Sequence, residues 1–534
     1  MVLKVVNPIS PTQRHKVANQ NVIERLKLAA TQKETLVAVE KAKRVFDHNN
    51  TNMHDEEVRT GAASALYKQL CLAFHTSESK GQLKSITTAL EMVFRCSTQY
   101  LIESYNDIGE GLLKVLIPVI HKELSNPKDC NSGVIGNCSK IIKYFSHVDK
   151  LKVAIASQEG VILTLVHILG NKTSDEARYD AMHALIGLAM AEENMVLMAH
   201  TEGVLEELVC IAKRREESDQ MRRWSGAALW SLSGSIENKE LMCCDEILSA
   251  IDSLCDVQCQ RTVAYMISLI KELSKLDKNN IPLVAHNNGS LLRRLVEMST
   301  NDEYGLDSIR KSVMTLDNLI CPETAQAACS LCPLTEKRPG LIVTLTSVVL
   351  DNDDPETRNA GLSALAEIAT TLQAGCDEYD TLLQCLVSFL ASEEVKFRTM
   401  AVLALKDFAS VDCNRPFLTD CEGLLEGVAQ VALKSRGEER ADCLNIICDL
   451  TCHEESRQTI VLYEDVLRLL ADGAMAYTVE EGRDKAMESI INLSLTRASR
   501  KVVAENRIVM ITVLDLSHKD ERMREAFKRY AEHM

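Results

Sequence analysis

Aromatic residues are scarce in this chain, and so are the residues that break helices. Phe, Tyr and Trp make up 4% of 534 residues, with only 22 glycines and 10 prolines. Sheets lean on aromatic and β-branched side chains, whereas the abundant Leu, Ala, Glu and Lys favour helices, so the composition predicts an all-α fold. No apolar run approaches the roughly eighteen residues needed to cross a bilayer; residues 160–170 form one of the longest. The first twenty residues contain no apolar core of a secretory signal. The 19 cysteines are dispersed along the chain rather than set in a compact disulfide framework. These absences lead us to expect a reduced intracellular protein, cytoplasmic or also nuclear, with no membrane partner.

Common catalytic motifs are missing too. There is no Gly-rich phosphate loop, no HExxH pair and no GxSxG elbow, so neither enzyme activity nor a cofactor is expected. Cys329 and Cys332, with Cys321 nearby, fall short of the four ligands of a structural zinc site, and no metal is expected. Cys443, Cys448 and Cys452 read as small core residues. A net charge of -16 repels a phosphate backbone, so nucleic acid is not an expected partner. Residues 1–50 run the other way, with nine Lys/Arg against four Asp/Glu.

Apolar residues at 46% and charged residues at 25% are enough for a buried core. The length calls for several domains or one repeat array, and the sequence favours the array. A break, usually Gly, followed by apolar pairs recurs at Gly111, Gly160, Gly203, Glu246, Gly289, Gly340, Thr381, Gly423, Asp465 and Ile508. The intervals are 49, 43, 43, 43, 51, 41, 42, 42 and 43 residues. A second signature follows each break: an acidic or Ser/Thr turn, then Arg and a small residue, as in Thr173-Ser174-Asp175-Glu176 before Arg178 and Asp353-Asp354-Pro355-Glu356 before Arg358. Such turns supply N-caps and first-turn acids. One unit therefore reads as a short helix, a Gly turn, a second helix, a capped turn and a longer third helix. The longest interval holds Pro322, Cys329, Pro333 and Pro339, which place a loop or kink there.

This unit resembles the armadillo repeat, as in importin-α and β-catenin. Its clearest copy runs from Thr173 to Ala212, with Ala184-Leu185-Ile186-Gly187-Leu188-Ala189 and then Gly203-Val204-Leu205-Glu206-Glu207-Leu208. HEAT repeats share the Arg and the length. The resemblance implies a right-handed α-α superhelix of about ten repeats over residues 54–518, preceded by a disordered segment 1–20 and a helical segment 21–53, and closed by a capping helix over 519–534. It also implies a non-enzymatic scaffold or adaptor holding a partner segment in a concave groove; an importin-like transport adaptor and a regulatory or chaperone subunit are the other readings.

In armadillo proteins an Asn on the third helix binds the partner backbone. Asn318 and Asn492 match that position here, and its equivalents elsewhere are Tyr144, Gly187, Ser231, Glu272, Glu367, Asp407 and Asp449. Glu367, Asp407 and Asp449 in successive repeats would form a negative strip that attracts a Lys/Arg-containing segment; alternatively they pair with Arg358, Arg398, Arg440 and Arg483, or are simply solvated. Trp224, seven residues before Ser231, shares its face, as His183 shares that of Gly187. Trp230 is turned about 100° away and reads as core. The basic segment 21–46 either caps the first repeat or folds into the groove.

Overall fold

The computed structural model describes residues 23–27, 29, 32–46, 56–75, 80–95, 98–125, 130–171, 174–257, 259–335, 340–371, 379–475 and 480–532. The segments 1–20 and 47–53, and Pro339, lie outside these residues. Of the described residues 83% are helical, with no strand among them. No single described helix is long and apolar enough to cross a membrane. Contacts divide the chain into two units, Met1–Leu273 and Ser274–Met534.

The first unit begins with α1 (Gln32–Phe46), α2 (Glu56–His75) and α3 (Lys80–Phe94). Triplets follow: α4 (Thr98–Ser104), α5 (Glu110–Leu124) and α6 (Ser132–Ser146); α7 (Lys152–Ala156), α8 (Val161–Gly170) and α9 (Asp175–Ala189). Then come α10 (Glu192–Ala199), α11 (Val204–Lys213) and α12 (Asp219–Leu232), and last α13 (Ile236–Leu241), α14 (Asp245–Cys255) and α15 (Gln260–Leu273).

The second unit continues with α16 (Asn280–Ala285), α17 (Ser290–Met298) and α18 (Leu306–Leu319), then α19 (Ala325–Leu331), α20 (Leu341–Asp351) and α21 (Pro355–Thr371). A pair, α22 (Tyr379–Leu390) and α23 (Val395–Ser410), precedes α24 (Arg415–Asp420), α25 (Leu424–Lys434) and α26 (Glu438–Cys452). The remaining triplets are α27 (Glu454–Ile460), α28 (Glu464–Met475) and α29 (Glu480–Leu493), and α30 (Arg497–Glu505), α31 (Arg507–Ser517) and α32 (Glu521–Ala531).

Each of the ten recurring sequence positions lies within two residues of the start of a second helix. The glycine is there for its backbone at Gly160, Gly203, Gly289 and Gly423, whose φ values of 80°, 82°, 81° and 80° belong to the left-handed region. Gly111 differs: it lies inside α5, where an added Cβ would come 2.6 Å from the Tyr67 hydroxyl. The turns before the third helices act as N-caps. Ser174 and Ser218 accept hydrogen bonds from the amides of Ala177 and Met221, and Asp354 accepts one from Thr357.

At four third helices the Arg near the start does more than open a helix: it closes the one before. Arg178 Nε donates to Leu169 O at 2.8 Å, Arg222 to Ala212 O at 3.0 Å, Arg358 to Val349 O at 3.1 Å and Arg483 to Ala474 O at 3.3 Å. A cation at the carbonyl end of a helix satisfies an orphan acceptor and complements the dipole. First helices do the same for third helices. Asn194 Nδ2 donates to Leu188 O and Lys152 O, and Asn238 Nδ2 to Leu232 O and Met195 O. Asn414 and Ser499 repeat the first of these bonds, to Phe408 O and Leu493 O.

Within each unit, like packs on like. Third helices α3, α6, α9, α12 and α15 contact in series in the first unit, as do α18, α21, α23, α26, α29 and α32 in the second; second helices stack in the same way. Neighbours thereby bury the Leu, Ile, Val and Ala faces that one triplet cannot cover alone. At the N-terminal side α1 packs on α2 and α3, burying Val39 and Ala42, and Gln69 Nε2 donates to Leu26 O at 2.9 Å. The long interval contains a helix, α19, which takes in Cys329; Pro333 follows it.

Arg178 also holds Glu217 through two hydrogen bonds of 3.0 and 2.6 Å, with both side chains buried. Arg178→Ala leaves Glu217 without its bidentate partner and is expected to cost about 3–5 kcal/mol in chemical denaturation. The double change Arg178→Met with Glu217→Leu should recover most of that; a double variant as weak as the single one would refute the account.

Candidate functional site

Tyr144, Gly187, Ser231, Asn318, Glu367, Asp407, Asp449 and Asn492 each sit within four residues of the C-terminal end of a third helix. Third helices pack in series within each unit, so these positions form a row along α6, α9 and α12 in the first unit and another along α18, α21, α23, α26 and α29 in the second. All but Gly187 are half-buried.

In the first unit the row, Tyr144, Gly187 and Ser231, carries no charged residue, and the same helices add a cluster of aromatic rings. Tyr144 Oη donates to Glu91 Oε1 at 2.8 Å, and Arg95 binds the same oxygen at 2.7 Å. Burial, then the Glu91 carboxylate, pushes the Tyr144 phenol up to about 12. Gly187 is explained by close packing, because a Cβ there would meet the Ser146 carbonyl at 2.9 Å. Ser231 spends its hydroxyl on Ala227 O at 3.0 Å. His183 packs against Trp224 with ring centroids 3.9 Å apart, and Tyr179 meets the indole edge-on at 5.3 Å. Burial holds the His183 imidazole down at about 4, with Lys143 and His147 adding to the effect. Trp230 corrects the sequence expectation: it is 38% exposed, beside Tyr265 at 5.7 Å, instead of buried in the core.

The second row is acidic. Glu367, Asp407 and Asp449 all have carboxyls raised above the ordinary value, in each case chiefly by burial. The Asp407 charge adds to the effect on Glu367; Lys406 opposes and Asp442 reinforces the shift of Asp407. Arg415 and Lys485 partly offset that of Asp449. One residue before the row, Asp317 is pushed up to about 6 by burial, against a hydrogen bond from Ser363. Three of the four recurring arginines are engaged away from this row. Arg358 lies 3.7 Å from Glu394 and over the Phe397 ring, Arg398 binds Glu439 at 3.2 Å, and Arg483 goes to a helix carbonyl. Asn318 and Asn492 are turned to their own chain: Asn318 Nδ2 donates to Ser274 Oγ at 3.1 Å and Asn492 Nδ2 to Thr451 Oγ1 at 3.2 Å.

A further cleft, of 490 Å³, opens between α5, α8 and α11, lined by His121, His167 and Glu207. His121 and His167 are perpendicular with centroids 5.3 Å apart. Sequence reading missed these residues; their 46- and 40-residue separations, close to the repeat period, were the available signal. Among the described residues, no group of three His, Cys, Asp or Glu side chains is placed to hold a metal ion. Cys443 and Cys448 are buried, whereas Cys452, also expected in the core, is exposed and receives a contact from Asn492 Nδ2 at 3.6 Å.

No family model and no curated protein sequence matches the chain. Solved structures do. One comes from a study of a conserved phosphorylation switch that controls the interaction between cadherin and β-catenin; it aligns with a TM-score of 0.61 at 14% identity, over 96% of this chain and 99% of that one. An engineered protein aligns with a TM-score of 0.49 at 17% identity, over 78% of this chain and 98% of that one. The first likeness, with the all-helical architecture, supports an armadillo-like solenoid fold.

His183 gives a direct check on the first row. Its folded pKa lies below the ordinary 6.5, so its contribution to stability is complete above pH 6.5 and is lost as pH falls through about 4. An NMR titration should place its midpoint near 4, and His183→Gln should flatten the pH dependence of unfolding in that window. A midpoint near 6.5 would contradict the packing against Trp224.

Proposed function

We propose that this chain is a non-enzymatic, protein-binding scaffold of about ten armadillo-type modules in a right-handed superhelix, and that the third helices of residues 274–534 receive a partner segment rich in Lys or Arg. One observation carries this reading: Glu367, Asp407 and Asp449 stand in one row on adjacent helices, Arg358, Arg398 and Arg483 are engaged elsewhere, and Lys406, Arg415 and Lys485 only partly offset the row. Half-buried carboxylates with raised pKa values are incompletely stabilised by their own protein, and a cationic side chain laid against them relieves that deficit. An array of stacked helices offers an extended surface for such a segment without any covalent step.

The importin-like reading has less support. The two asparagines that match the family position direct their amides to Ser274 and Thr451 of this same chain. Side chains facing a peptide backbone would have to exchange those bonds on binding.

The test is charge reversal. A fluorescein-labelled peptide of alternating Lys/Arg and Ala should bind the full chain at low ionic strength and weaken as salt rises. Asp407→Lys with Asp449→Lys should reduce its affinity by about tenfold or more, read by fluorescence anisotropy. Unchanged affinity in the double variant, or no binding to the parent protein, would sink the proposal.

A further inference from the structure

Every exposed side chain on the short helices α10 and α13 is either a glutamate or a large apolar residue. On α10 these are Glu192, Glu193 and Leu197; on α13 they are Ile236, Glu237, Glu240 and Leu241. Lys239 is the only cation in either helix, and it is drawn inward, where Nζ donates to Ser233 O at 3.0 Å and to Glu272 Oε2 at 2.9 Å. The exposed residues of α10 and α13 therefore combine apolar and negative character and include no Lys or Arg; on α7 Lys152 is buried, and Lys150, exposed just before that helix, is the cation nearest the edge in sequence.

The apolar part is periodic. Val153 on α7, Leu197 and Leu241 are 40%, 45% and 42% exposed. They are spaced 44 residues apart, and their helices pack in series. Met190 and Ile236, at 62% and 70%, add to this edge where the chain enters α10 and α13. Isolated exposed apolar residues are ordinary, but a contiguous row of them beside polar residues marks an interaction surface. First-turn acids favour the helix dipole, which accounts for Glu192, Glu193 and Glu237. It does not account for the lack of an exposed Lys or Arg on both α10 and α13.

We propose that the edge formed by α7, α10 and α13 docks an amphipathic helix of a partner protein, one whose apolar face is flanked by Lys or Arg. The apolar row receives the partner's apolar stripe, and the glutamates meet the cations on its borders. Charge argues against two other occupants. A second copy of this edge would bring glutamates against glutamates, and an anionic bilayer would repel them. None of the third-helix residues discussed above takes part, so the two readings fail independently.

Anisotropy with the full chain and three labelled helical peptides of about four turns tests this. One carries a Leu stripe flanked by Lys, the second has Glu in place of Lys, and the third scrambles the first. Only the Lys-flanked peptide should bind, and both Leu197→Ser with Leu241→Ser and Glu237→Lys with Glu240→Lys should weaken it by about tenfold or more. All substituted positions are exposed, and thermal unfolding of the variants confirms that they fold. Asp407→Lys with Asp449→Lys should leave this binding intact. Equal binding of the Glu-flanked or scrambled peptide, insensitivity to both edge variants, or loss in the Asp407/Asp449 variant would overturn the proposal. Self-association or sedimentation with phosphatidylserine vesicles, if abolished by the edge variants, would also overturn it by assigning the edge to a different occupant.

Discussion

Carbonyls left over where one helix stops and the next begins are the constraint on which this fold depends. A helix ends with acceptors that have no amide partner within it, and an array of short helices ends many times. The chain answers from two sides. Arg178, Arg222, Arg358 and Arg483 reach back to the second helix, and Asn194, Asn238, Asn414 and Ser499 reach back to the third. Asn194 and Asn238 also bind a carbonyl of the preceding module, at Lys152 and Met195. Capping and stacking are thus done by the same amides, and this ties module length to module spacing.

Much of the architecture was legible for that reason. The recurring breaks mark second-helix starts because four of them need a left-handed residue, which glycine supplies, and the acidic or Ser/Thr turns mark third-helix starts because their oxygens cap amides. The Arg was read as part of a helix start; its acceptor lies nine or ten residues upstream, across a chain reversal that the sequence does not display. The first-helix asparagines were missed, although Asn194 and Asn238 stand one repeat apart. Trp230 was misplaced for another reason. Helical phase alone assigned it to the core, but phase does not say how far the neighbouring helix covers a side chain, and 38% of it stays exposed.

The two third-helix rows show how differently one framework can be surfaced. In the first unit Tyr144 in the row and His183 and Trp224 on the same helices give an aromatic surface, with His183 uncharged near neutrality. Glu367, Asp407 and Asp449 make the second a line of partly buried carboxylates whose pKa values are raised. Alignment to the armadillo position located these residues, but which of them keep a free hydrogen-bonding group depends on contacts a repeat period away. Tyr144 with Glu91 and Asn492 with Thr451 are examples. Position within a repeat is local information; partnership is not.

The bonds that join modules have a consequence for how such a chain can change over time. Asn194 and Asn238 each recognise a peptide carbonyl, which every amino acid possesses, so the residue on the receiving side can be replaced without loss of the bond. Only the donor and the spacing need to be kept. A fold held together in this way tolerates wholesale turnover of its composition.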